Sequence, residues 1–465
     1  MKTRQLLDMG IPHGRCVELA IELLKETARR KLDDREVSPQ LKALVRAPAS
    51  FADHELYGPL ARALAEYLSA SDTFIRRETP APYKIWGEGL EAGALQQMAN
   101  AAQLPVAAVG ALMPDAHQGY GLPIGGVLAT RGCVIPYAVG VDIACRMKLT
   151  VLDIPASALA EQEDRLAKAL VEETRFGVGA TFRDRREHEV MDGDWRVSPV
   201  TQQNRDKAWS QLGTSGSGNH FVEFGTLTLD RPDLGLAAGT YLALLSHSGS
   251  RGTGAAVAAH YSKLAMSRHP ELPQALKHLA WLDLDAAEGQ EYWAAMELMG
   301  RYAAANHAMI HRHVARHLGA QVLLDVENHH NFAWKETHGG EEVVVHRKGA
   351  TPAGAGVLGV IPGSMADPGF IVRGKGVAAS LNSASHGAGR RMSRTAAFKL
   401  FNWDDAKRLL QERGVKLLSA GLDEMPMAYK DIRSVMAAQQ DLVEVVARFD
   451  PRLVKMAPAG EQPED

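Results

Sequence analysis

The sequence predicts an α+β fold, in which helices and short strands are mixed along the chain. Apolar residues recur at helical spacing in two long stretches and two shorter ones. These helical patterns cover residues 155–175, 285–318, 400–414 and 430–448. Short β-branched or apolar runs, such as residues 241–245 and 343–345, lie between segments dense in glycine and are typical of strands.

The chain is expected to divide where its composition changes, near two prolines. Helical spacing of leucines marks the first part of the chain, and it stops at residues 79–82, where the prolines discourage a continued helix. The leucines are Leu60, Leu64 and Leu68. We expect a helical N-terminal extension over residues 1–82, a main domain over residues 83–458 and an acidic tail over residues 459–465.

Composition and charge exclude several classes of protein. The hydrophobic content of 46% and charged content of 23% are those of a soluble globular protein. A net charge of −3 argues against binding nucleic acid with the whole surface, so such binding would need a local basic groove. Three cysteines cannot form a disulfide framework, and no apolar stretch reaches the roughly 18 residues that a membrane span needs. We expect a cytoplasmic protein without membrane contact.

A first set of residues has the chemistry of metal ligands. Asp142 and Cys145 stand three residues apart and offer a hard oxygen and a soft thiolate, although this pattern alone is more typical of a buried structural cysteine. Three turn-like segments add His220, His247 and His330, and neutral imidazoles on rigid turns commonly assemble a Zn, Mn, Ni or Fe site. Five ligands are too many for one tetrahedral zinc, so they predict two metal ions that share the thiolate.

Two glycine-containing segments pair backbone N–H groups with cations. Residues 248–252 contain Arg251, and residues 346–351 contain Arg347 and Lys348. Free N–H groups and a planar guanidinium suit a phosphate oxyanion. Neither segment matches G-x-x-x-x-G-K-[ST] or G-x-G-x-x-G, so the protein is neither a P-loop nor a Rossmann enzyme.

A candidate nucleophile lies in the segment Ser-His-Gly-Ala-Gly-Arg-Arg at residues 385–391. A neutral imidazole at His386 is a competent nucleophile, and Arg390 can stabilise the charge of phosphoryl transfer. Taken alone, the segment also fits a histidine in a basic turn. Asp115 and His117 are further candidates, either as metal ligands or bases, or as a hydrogen-bonded pair that stabilises a loop.

In their order along the chain, these segments resemble the RtcB family of RNA-splicing ligases. The resemblance extends from about Tyr83 to Lys455. Its motifs lie at residues 114–119, 123–126, 140–145, 218–223, 247–252, 330–331, 347–351, 361–365, 386–394 and 428–431. The family's fold is then expected here, with packed, largely antiparallel sheets surrounded by helices and an active site in a deep cleft.

The resemblance implies two Mn²⁺ ions and GTP. Cys145 is expected to bridge the ions, with Asp142 and His220 completing one site and His247 and His330 the other. Asn219 is expected to hold the α-phosphate of GTP and Glu223 to accept the guanine edge. The other residues expected at the nucleotide are Asn331, Ser364, Gly387, Ala388, Gly389, Tyr429 and Lys455. The residues expected at RNA or its phosphates are Arg251, Arg347, Lys348 and Arg390.

The implied reaction has three steps and uses His386 as the nucleophile. Water first opens a 2′,3′-cyclic phosphate at one RNA end to a 3′-phosphate. GMP then passes from His386, which has attacked the α-phosphorus of GTP, to that 3′-phosphate. Finally the 5′-hydroxyl of the other strand attacks and GMP leaves. Such phosphoryl transfers need positioning and charge neutralisation above all.

The sequence departs from the family pattern at three positions near this site. Ala144 and Arg146 flank the metal cysteine where the family usually has glycine. We expect the methyl group of Ala144 to be a small change, and Arg146 to perturb metal affinity or contact RNA phosphate. Gly369 stands where a serine commonly helps to bind guanine. None of these removes a ligand or the nucleophile, so we expect an active enzyme with altered substrate preference.

A further group of histidines lies on the predicted 285–318 helix. Because no H-E-x-x-H motif is present, these four histidines are expected to form a solvated or RNA-facing surface. They are His307, His311, His313 and His317.

Two other functions fit parts of the same pattern. A binuclear hydrolase of cyclic phosphates needs the metal ligands but not His386, and a non-catalytic RNA-binding protein needs neither. The partners expected are RNA ends and an accessory activating protein. The N-terminal extension either binds RNA or packs on the core as a helical collar.

Overall fold

The structure, a computed structural model, describes residues 5–6, 9–12, 15–71 and 74–461. The last four residues of the expected acidic tail lie outside this part of the chain. Two units are distinguished: an N-terminal unit of Met1–Arg76 with Ser262–Trp281, and a main unit of Arg77–Tyr261 with Leu282–Asp465. Residues 262–281 thus join the N-terminal unit from far along the chain.

The N-terminal unit is helical, as the sequence predicts. Its helices are Arg15–Arg29 (α1), Asp34–Arg46 (α2) and Gly58–Ser71 (α3). Leu23, Leu41 and Leu60 contribute to its core, because each helix turns one apolar stripe inward. Leu64 is also buried, whereas Leu68, at the same helical spacing, is 44% exposed.

Helices of the main unit largely follow the predicted patterns. They are Ala92–Ala102 (α4), Pro136–Val139 (α5), Ala158–Glu161 (α6), Glu163–Glu173 (α7), Pro199–Gln211 (α8), Arg251–Arg268 (α9), Ala287–Leu318 (α10), Arg394–Leu400 (α11), Trp403–Glu412 (α12) and Ile432–Ala437 (α13). Helix α9 continues into the N-terminal unit. The helices predicted over residues 155–175, 285–318 and 400–414 are confirmed.

Strands of the main unit form two large sheets and two small ones. They are Tyr83–Ile85 (β1), Ala107–His117 (β2), Ile124–Thr130 (β3), Cys133–Val134 (β4), Arg146–Leu152 (β5), Phe221–Leu229 (β6), Gly239–Ser248 (β7), Leu282–Asp283 (β8), Val322–His329 (β9), Asn331–His338 (β10), Glu341–Lys348 (β11), Ala350–Pro352 (β12), Leu358–Ile361 (β13), Gly369–Gly374 (β14), Ser383–Ser385 (β15), Lys416–Ser419 (β16) and Val443–Met456 (β17). One large sheet has the order β1-β2-β3-β11-β10. The other has the order β13-β14-β17-β6-β7-β5-β9, with β16 beside β17.

Pairing within the sheets is antiparallel except between β1 and β2 and between β16 and β17. The Asn328 side chain of β9 reaches β13 at the other end of the eight-stranded sheet. It accepts the backbone N–H of Val360 at 2.8 Å and so almost closes that sheet on itself. The predicted α+β class, with largely antiparallel sheets surrounded by helices, is confirmed.

One predicted helix is wrong in its second half. Residues 430–448 form the short helix α13 and then the first part of β17, which lies between β14 and β6. The run from Leu442 to Val446 contains three valines, and valine loses side-chain freedom in a helix and packs well on a sheet. Here that local preference agrees with the tertiary position of the strand.

None of the described helices combines the length and the apolar character that crossing a bilayer requires.

Candidate active site

A cavity of about 520 Å³ in the main unit gathers most of the residues that the sequence singles out. Those that line it are Asp142, Cys145, Asn219, His220, Glu223, His247, His330, Asn331, Lys348, Ser364, His386, Gly387, Ala388, Gly389, Arg390 and Tyr429. Among the described residues, the wall does not include Arg251, Arg347 or Lys455. Since the lining residues come from segments far apart in the chain, the fold alone brings them together.

His386 follows β15, and a buried carboxylate holds its imidazole. The Nδ1 atom lies 2.7 Å from Oδ2 of Asp115, which also accepts the backbone N–H of His386 at 3.1 Å. Burial opposes ionisation of Asp115, but the adjacent His386 holds the pKa of this carboxyl below its ordinary value. Because a carboxylate can only accept, Nδ1 carries the proton and Nε2 presents a lone pair. The His386 ring lies 4.9 Å from that of His330, beside the predicted metal ligands.

Asp115 and His117 are hydrogen-bonded to each other, as one of the two interpretations of the sequence had it, but the bond uses the backbone of Asp115. The Nδ1 atom of His117 lies 3.1 Å from the backbone oxygen of Asp115, whose carboxylate turns to His386 instead. Burial lowers the pKa of His117 to about 4, so the ring that lines the cavity is neutral. No local pattern indicates the Asp115–His386 pair, because 271 positions separate the two residues.

The five predicted metal ligands converge in two groups of three that share Cys145. One group is Cys145, His247 and His330, and the other is Asp142, Cys145 and His220. Within each group the ligand atoms lie within 4.8 Å of one another. The thiol sulfur is 3.1 Å from Nε2 of His247 and 3.5 Å from Nε2 of His220. Both groups are the ones that the family resemblance implies.

The protonation of these side chains fits them to hold divalent cations. The Nδ1 atom of His247 donates to the carbonyl oxygen of Asn219 at 3.1 Å, which leaves a lone pair on Nε2. That lone pair faces the sulfur of Cys145 and, at 3.3 Å, Nε2 of His330. Burial lowers the pKa of His247 to about 3 and that of His330 well below its ordinary value, so both rings are neutral. Imidazole and thiolate donors suit Zn²⁺ or Co²⁺, and the Asp142 carboxylate adds a hard oxygen.

A glycine is required beside the carboxylate of the second group. A Cβ atom on Gly249 would lie 2.0 Å from Oδ2 of Asp142, closer than any contact allows. The next residue, Ser250, donates its backbone N–H to Oδ1 of Asp142 at 3.0 Å. The Ser250 hydroxyl group lies 3.4 Å from the same oxygen. The turn after β7 therefore approaches Asp142 so closely that only glycine fits at position 249, and this accounts for the glycine in the His-Ser-Gly-Ser segment.

Two of the departures from the family pattern behave differently from expectation. Ala144 has a φ of +58°, in the left-handed region, which costs a non-glycine residue roughly 1–2 kcal/mol. Its methyl group is therefore not the small change that its size suggests. Arg146 is only 5% exposed, does not line the cavity, and lies 3.4 Å from Glu327. The expected contact of Arg146 with RNA phosphate is wrong, and its effect on metal affinity stays a prediction.

The charges on the cavity wall do not by themselves suit a polyanion. Five carboxyl residues line it, against three basic ones. The carboxyl residues are Glu91, Asp142, Glu223, Asp367 and Glu424, and the basic residues are Lys348, Arg390 and Arg394. Both arginines are paired with Glu424. Cations held at the two ligand groups would add positive charge to this wall.

Glu223 projects into the cavity as a buried carboxyl group. It is 4% exposed, and its burial raises its pKa well above the ordinary value. Its carboxyl group has no hydrogen-bond partner among the described residues, so it is available to a ligand that brings N–H donors. Nearby on the wall, Ser364 donates to Asp367 at 2.6 Å, and Gly369 offers no hydroxyl group. Tyr429 donates its hydroxyl group to Glu424.

Lys455 does not reach the cavity, contrary to the expectation that it completes the guanine pocket. On β17, Val454 pairs with Glu223 and Lys455 pairs with Val222. Alternate residues of a strand face opposite sides, so Val454 lines the cavity and Lys455 lies on the other face. There its Nζ atom donates to Thr174 and to the backbone oxygen of Leu170, and burial lowers its pKa to about 8.

Arg251 and Arg347 are buried behind the cavity wall, and their role as phosphate ligands stays a prediction. Arg251 is 2% exposed and donates to Thr214, in the loop that leads to Asn219. Arg347 is 1% exposed and donates to Glu336 at 2.6 Å, and to Ser383, which begins the strand before His386.

Three other predicted contact residues line the cavity with internal partners. Asn331 donates to the backbone oxygen of Asp142 at 3.2 Å and accepts from Gly349 at 2.8 Å. Lys348 donates to the backbone oxygen of Tyr120, and Arg390 to that of Asp423 at 2.8 Å. Their contacts with nucleotide or RNA stay predictions.

The histidines of α10 correct another expectation. His307 and His311 are buried, not solvated or RNA-facing. His307 Nε2 lies 3.1 Å from the backbone oxygen of Ser248, which can only accept, so Nδ1 accepts from the Ser246 hydroxyl group at 2.7 Å. The Ser246 hydroxyl oxygen also lies 2.8 Å from Nε2 of His311. This chain of hydrogen bonds fixes β7 on both sides of His247. His313 and His317 lie at the edge, near Glu173.

Comparisons with known proteins agree with these observations. A family model described as tRNA-splicing ligase RtcB matches residues 97–197 and 185–456. RNA-splicing ligase RtcB of Escherichia coli K12 is 38% identical over 411 residues, which cover 79% of this chain and 95% of that protein. tRNA-splicing ligase RtcB of Thermococcus kodakarensis is 30% identical over 433 residues, or 77% of this chain and 89% of that protein. A Methanococcus maripaludis tRNA-splicing ligase RtcB is 29% identical over 451 residues, or 80% and 92%.

Proposed function

The chain belongs to the RtcB family of tRNA-splicing ligases, and from that premise we propose that it joins broken RNA strands in RNA repair or tRNA splicing. In the finer proposal it joins a 2′,3′-cyclic phosphate or 3′-phosphate end to a 5′-hydroxyl end, with GTP as the energy source. The observation that carries this proposal is the pair of His386 and Asp115, because a hydrolase of cyclic phosphates needs no such oriented imidazole.

His386 is the nucleophile of the proposed first transfer. Its Nε2 lone pair would form a bond to the α-phosphorus of GTP while the bond to pyrophosphate breaks. The imidazole becomes cationic as the N–P bond forms, and the carboxylate of Asp115, 2.7 Å from Nδ1, stabilises that charge. Because the cation exists only as the bond forms, this contact favours the transition state over the bound substrate.

The other residues of the cavity are proposed to position the substrates. Glu223 would accept from the N–H groups on the guanine edge, which its burial at the cavity wall and its lack of a partner among the described residues support. Asn219 would donate to the α-phosphate while its backbone oxygen orients His247. GMP on His386 would then pass to the RNA 3′-phosphate, and attack by the 5′-hydroxyl group would release it. Opening of a cyclic phosphate by water would precede these steps.

The proposed metal ligands are Asp142, Cys145, His220, His247 and His330, with Mn²⁺ as the proposed ion. Two such cations would neutralise phosphate charge and activate attacking oxygens. Their positive charge would also offset the carboxyl residues of the wall, which outnumber its basic residues. The accessory activating protein, the cytoplasmic location and an RNA-binding role of the N-terminal unit stay predictions.

The test is incubation of the protein with α-labelled GTP and Mn²⁺, followed by a denaturing gel. A label that requires metal and is lost in His386→Ala is expected, and His313→Ala is the matched control because it removes an imidazole that does not line the cavity. Cys145→Ala should lose bound metal, measured by elemental analysis, together with the label. Opening of cyclic phosphates without any label would contradict the ligase proposal and favour the hydrolase.

A further inference from the structure

The wall of the cavity carries one solvent-exposed aromatic ring that the proposed chemistry does not use. Tyr120 is 66% exposed and belongs to the cavity wall. In the described part of the chain, Phe398 is the other phenyl, phenol or indole ring with comparable exposure, and it does not line the cavity. An exposed ring at a concave site points to a binding partner more than a ring on an open surface does.

Three side chains hold the backbone of the segment that carries this ring by hydrogen bonds. Gln97 accepts the N–H of Gly119 at 3.0 Å and donates back to its carbonyl oxygen. Glu91 accepts the N–H of Gln118 at 2.8 Å, and Lys348 donates to the carbonyl oxygen of Tyr120. The ring is therefore presented from a held loop, which lowers the entropy lost when a partner binds.

The ring of Tyr120 lies in the neighbourhood of the proposed nucleophile, His386. Lys348 precedes Gly349, where a Cβ atom would lie 3.1 Å from Cε1 of His386. The side chain of Lys348 thus spans the distance from the neighbourhood of His386 to the backbone of Tyr120. Because one extended lysine is about as long as one or two nucleotides, Tyr120 is within reach of the last bases of a strand whose terminal phosphate lies at His386.

We propose that Tyr120 is a stacking platform for a nucleobase at or next to the 3′ end of the bound RNA strand. The occupant is single-stranded RNA, so the inference rests on the proposed function. Every base offers a π-face, so the contact tolerates any sequence. It uses the ring and not the hydroxyl group, and it therefore positions the strand without taking part in the chemistry.

The test measures binding of a short single-stranded RNA with a 3′-phosphate by fluorescence anisotropy, in Mn²⁺ and without GTP. The RNA is used intact and with an abasic residue at the last or the penultimate position. Tyr120→Ala should weaken binding of intact RNA roughly 10- to 100-fold, and Tyr120→Trp should retain it. One of the abasic strands should bind weakly to the wild type and be insensitive to Tyr120→Ala, since both changes remove the same contact.

Two controls establish whether the ring of Tyr120 binds a base of the RNA. Phe398→Ala removes a comparably exposed ring and should leave the affinity for RNA unchanged. An equal loss of affinity for intact and abasic strands on Tyr120→Ala would overturn the inference, because the loss would then not depend on a base. Weaker labelling by GTP with unchanged RNA affinity would also overturn it, since the ring would then serve the nucleotide. Failure of the wild type to bind RNA at all would count against the proposed function itself.

Discussion

Replacement of Asp115 by asparagine tests the central contact of the proposed mechanism. The carboxylate accepts from Nδ1 of His386 at 2.7 Å and is fully buried. When Nε2 bonds to phosphorus the imidazole becomes a cation, and two unit charges about 4 Å apart attract by about 4 kcal/mol at an effective dielectric constant near 20. Asp115→Asn loses this attraction in the transition state, so guanylylation should slow by about 10³-fold.

The assay is single-turnover labelling of the protein by α-labelled GTP without RNA. An asparagine can still accept from Nδ1 with its carbonyl oxygen, so the tautomer of His386 is preserved and the loss reports charge alone. Its NH₂ group would replace Oδ1 of Asp115, which is buried without a hydrogen-bond partner among the described residues, so thermal unfolding must also be measured.

The matched control is Asp233→Asn, which removes a carboxylate paired with Arg373 at 2.7 Å and lying outside the cavity wall. That variant should label at the wild-type rate. A folded Asp115→Asn protein that labels within about 10-fold of the wild type would refute the electrostatic role, since 10-fold corresponds to only about 1.4 kcal/mol.

Three further substitutions test other parts of the structure. Glu223→Gln replaces one acceptor by a donor and should slow labelling by GTP about 100-fold relative to ATP; an unchanged GTP/ATP ratio would contradict the guanine contact. Burial lowers the pKa of Lys348 from 10.5 to about 7, so the unfolded chain binds more protons between these values and wild-type stability rises with pH there. The melting temperature of the wild type, relative to that of Lys348→Met, should therefore increase from pH 7 to pH 10. If the difference between the two melting temperatures did not change with pH, the lowered pKa of Lys348 would be excluded. Ala144→Gly relieves a φ of +58° and should raise the free energy of unfolding in urea by about 1 kcal/mol; a decrease would show that the methyl group packs usefully.

The metal ligands could be predicted from the sequence because each lies in a short segment with its own chemistry. Histidine after glycine and asparagine, or between serines and before a glycine, is recognisable without knowledge of the fold, although His247 lies at the end of strand β7 and not in the turn itself. The role of Cys145 was ambiguous by itself, because the segment also fits a buried structural cysteine. The prediction of a metal site depended on three histidines elsewhere in the chain. The structure adds the lone-pair geometry, in which Nε2 of His247 faces both Cys145 and His330.

Sequence alone could not tell which predicted residues reach the cavity wall, because this depends on the direction in which a side chain points. A guanidinium beside glycines suits phosphate, and the local pattern of Arg347 gives no sign that Glu336 of the neighbouring strand binds it. Lys455 lies outside the wall for a similar reason, since its face depends on the register between β17 and β6. Asp115 is the opposite case, because its role appears only when the fold brings it to His386.

The register of one hairpin links the metal ligands to the proposed guanine contact. In β6 and β7, Phe221 pairs with His247 and Glu223 pairs with Leu245, and all four line the cavity. A slip of one residue in β7 would turn His247 to the far face and bring Ser246 into the cavity. The buried bonds from Ser246 to His307 and His311 oppose such a slip, because they would be broken together. The buried histidines of α10 thus hold in place the strand on which both a metal ligand and the wall around Glu223 depend.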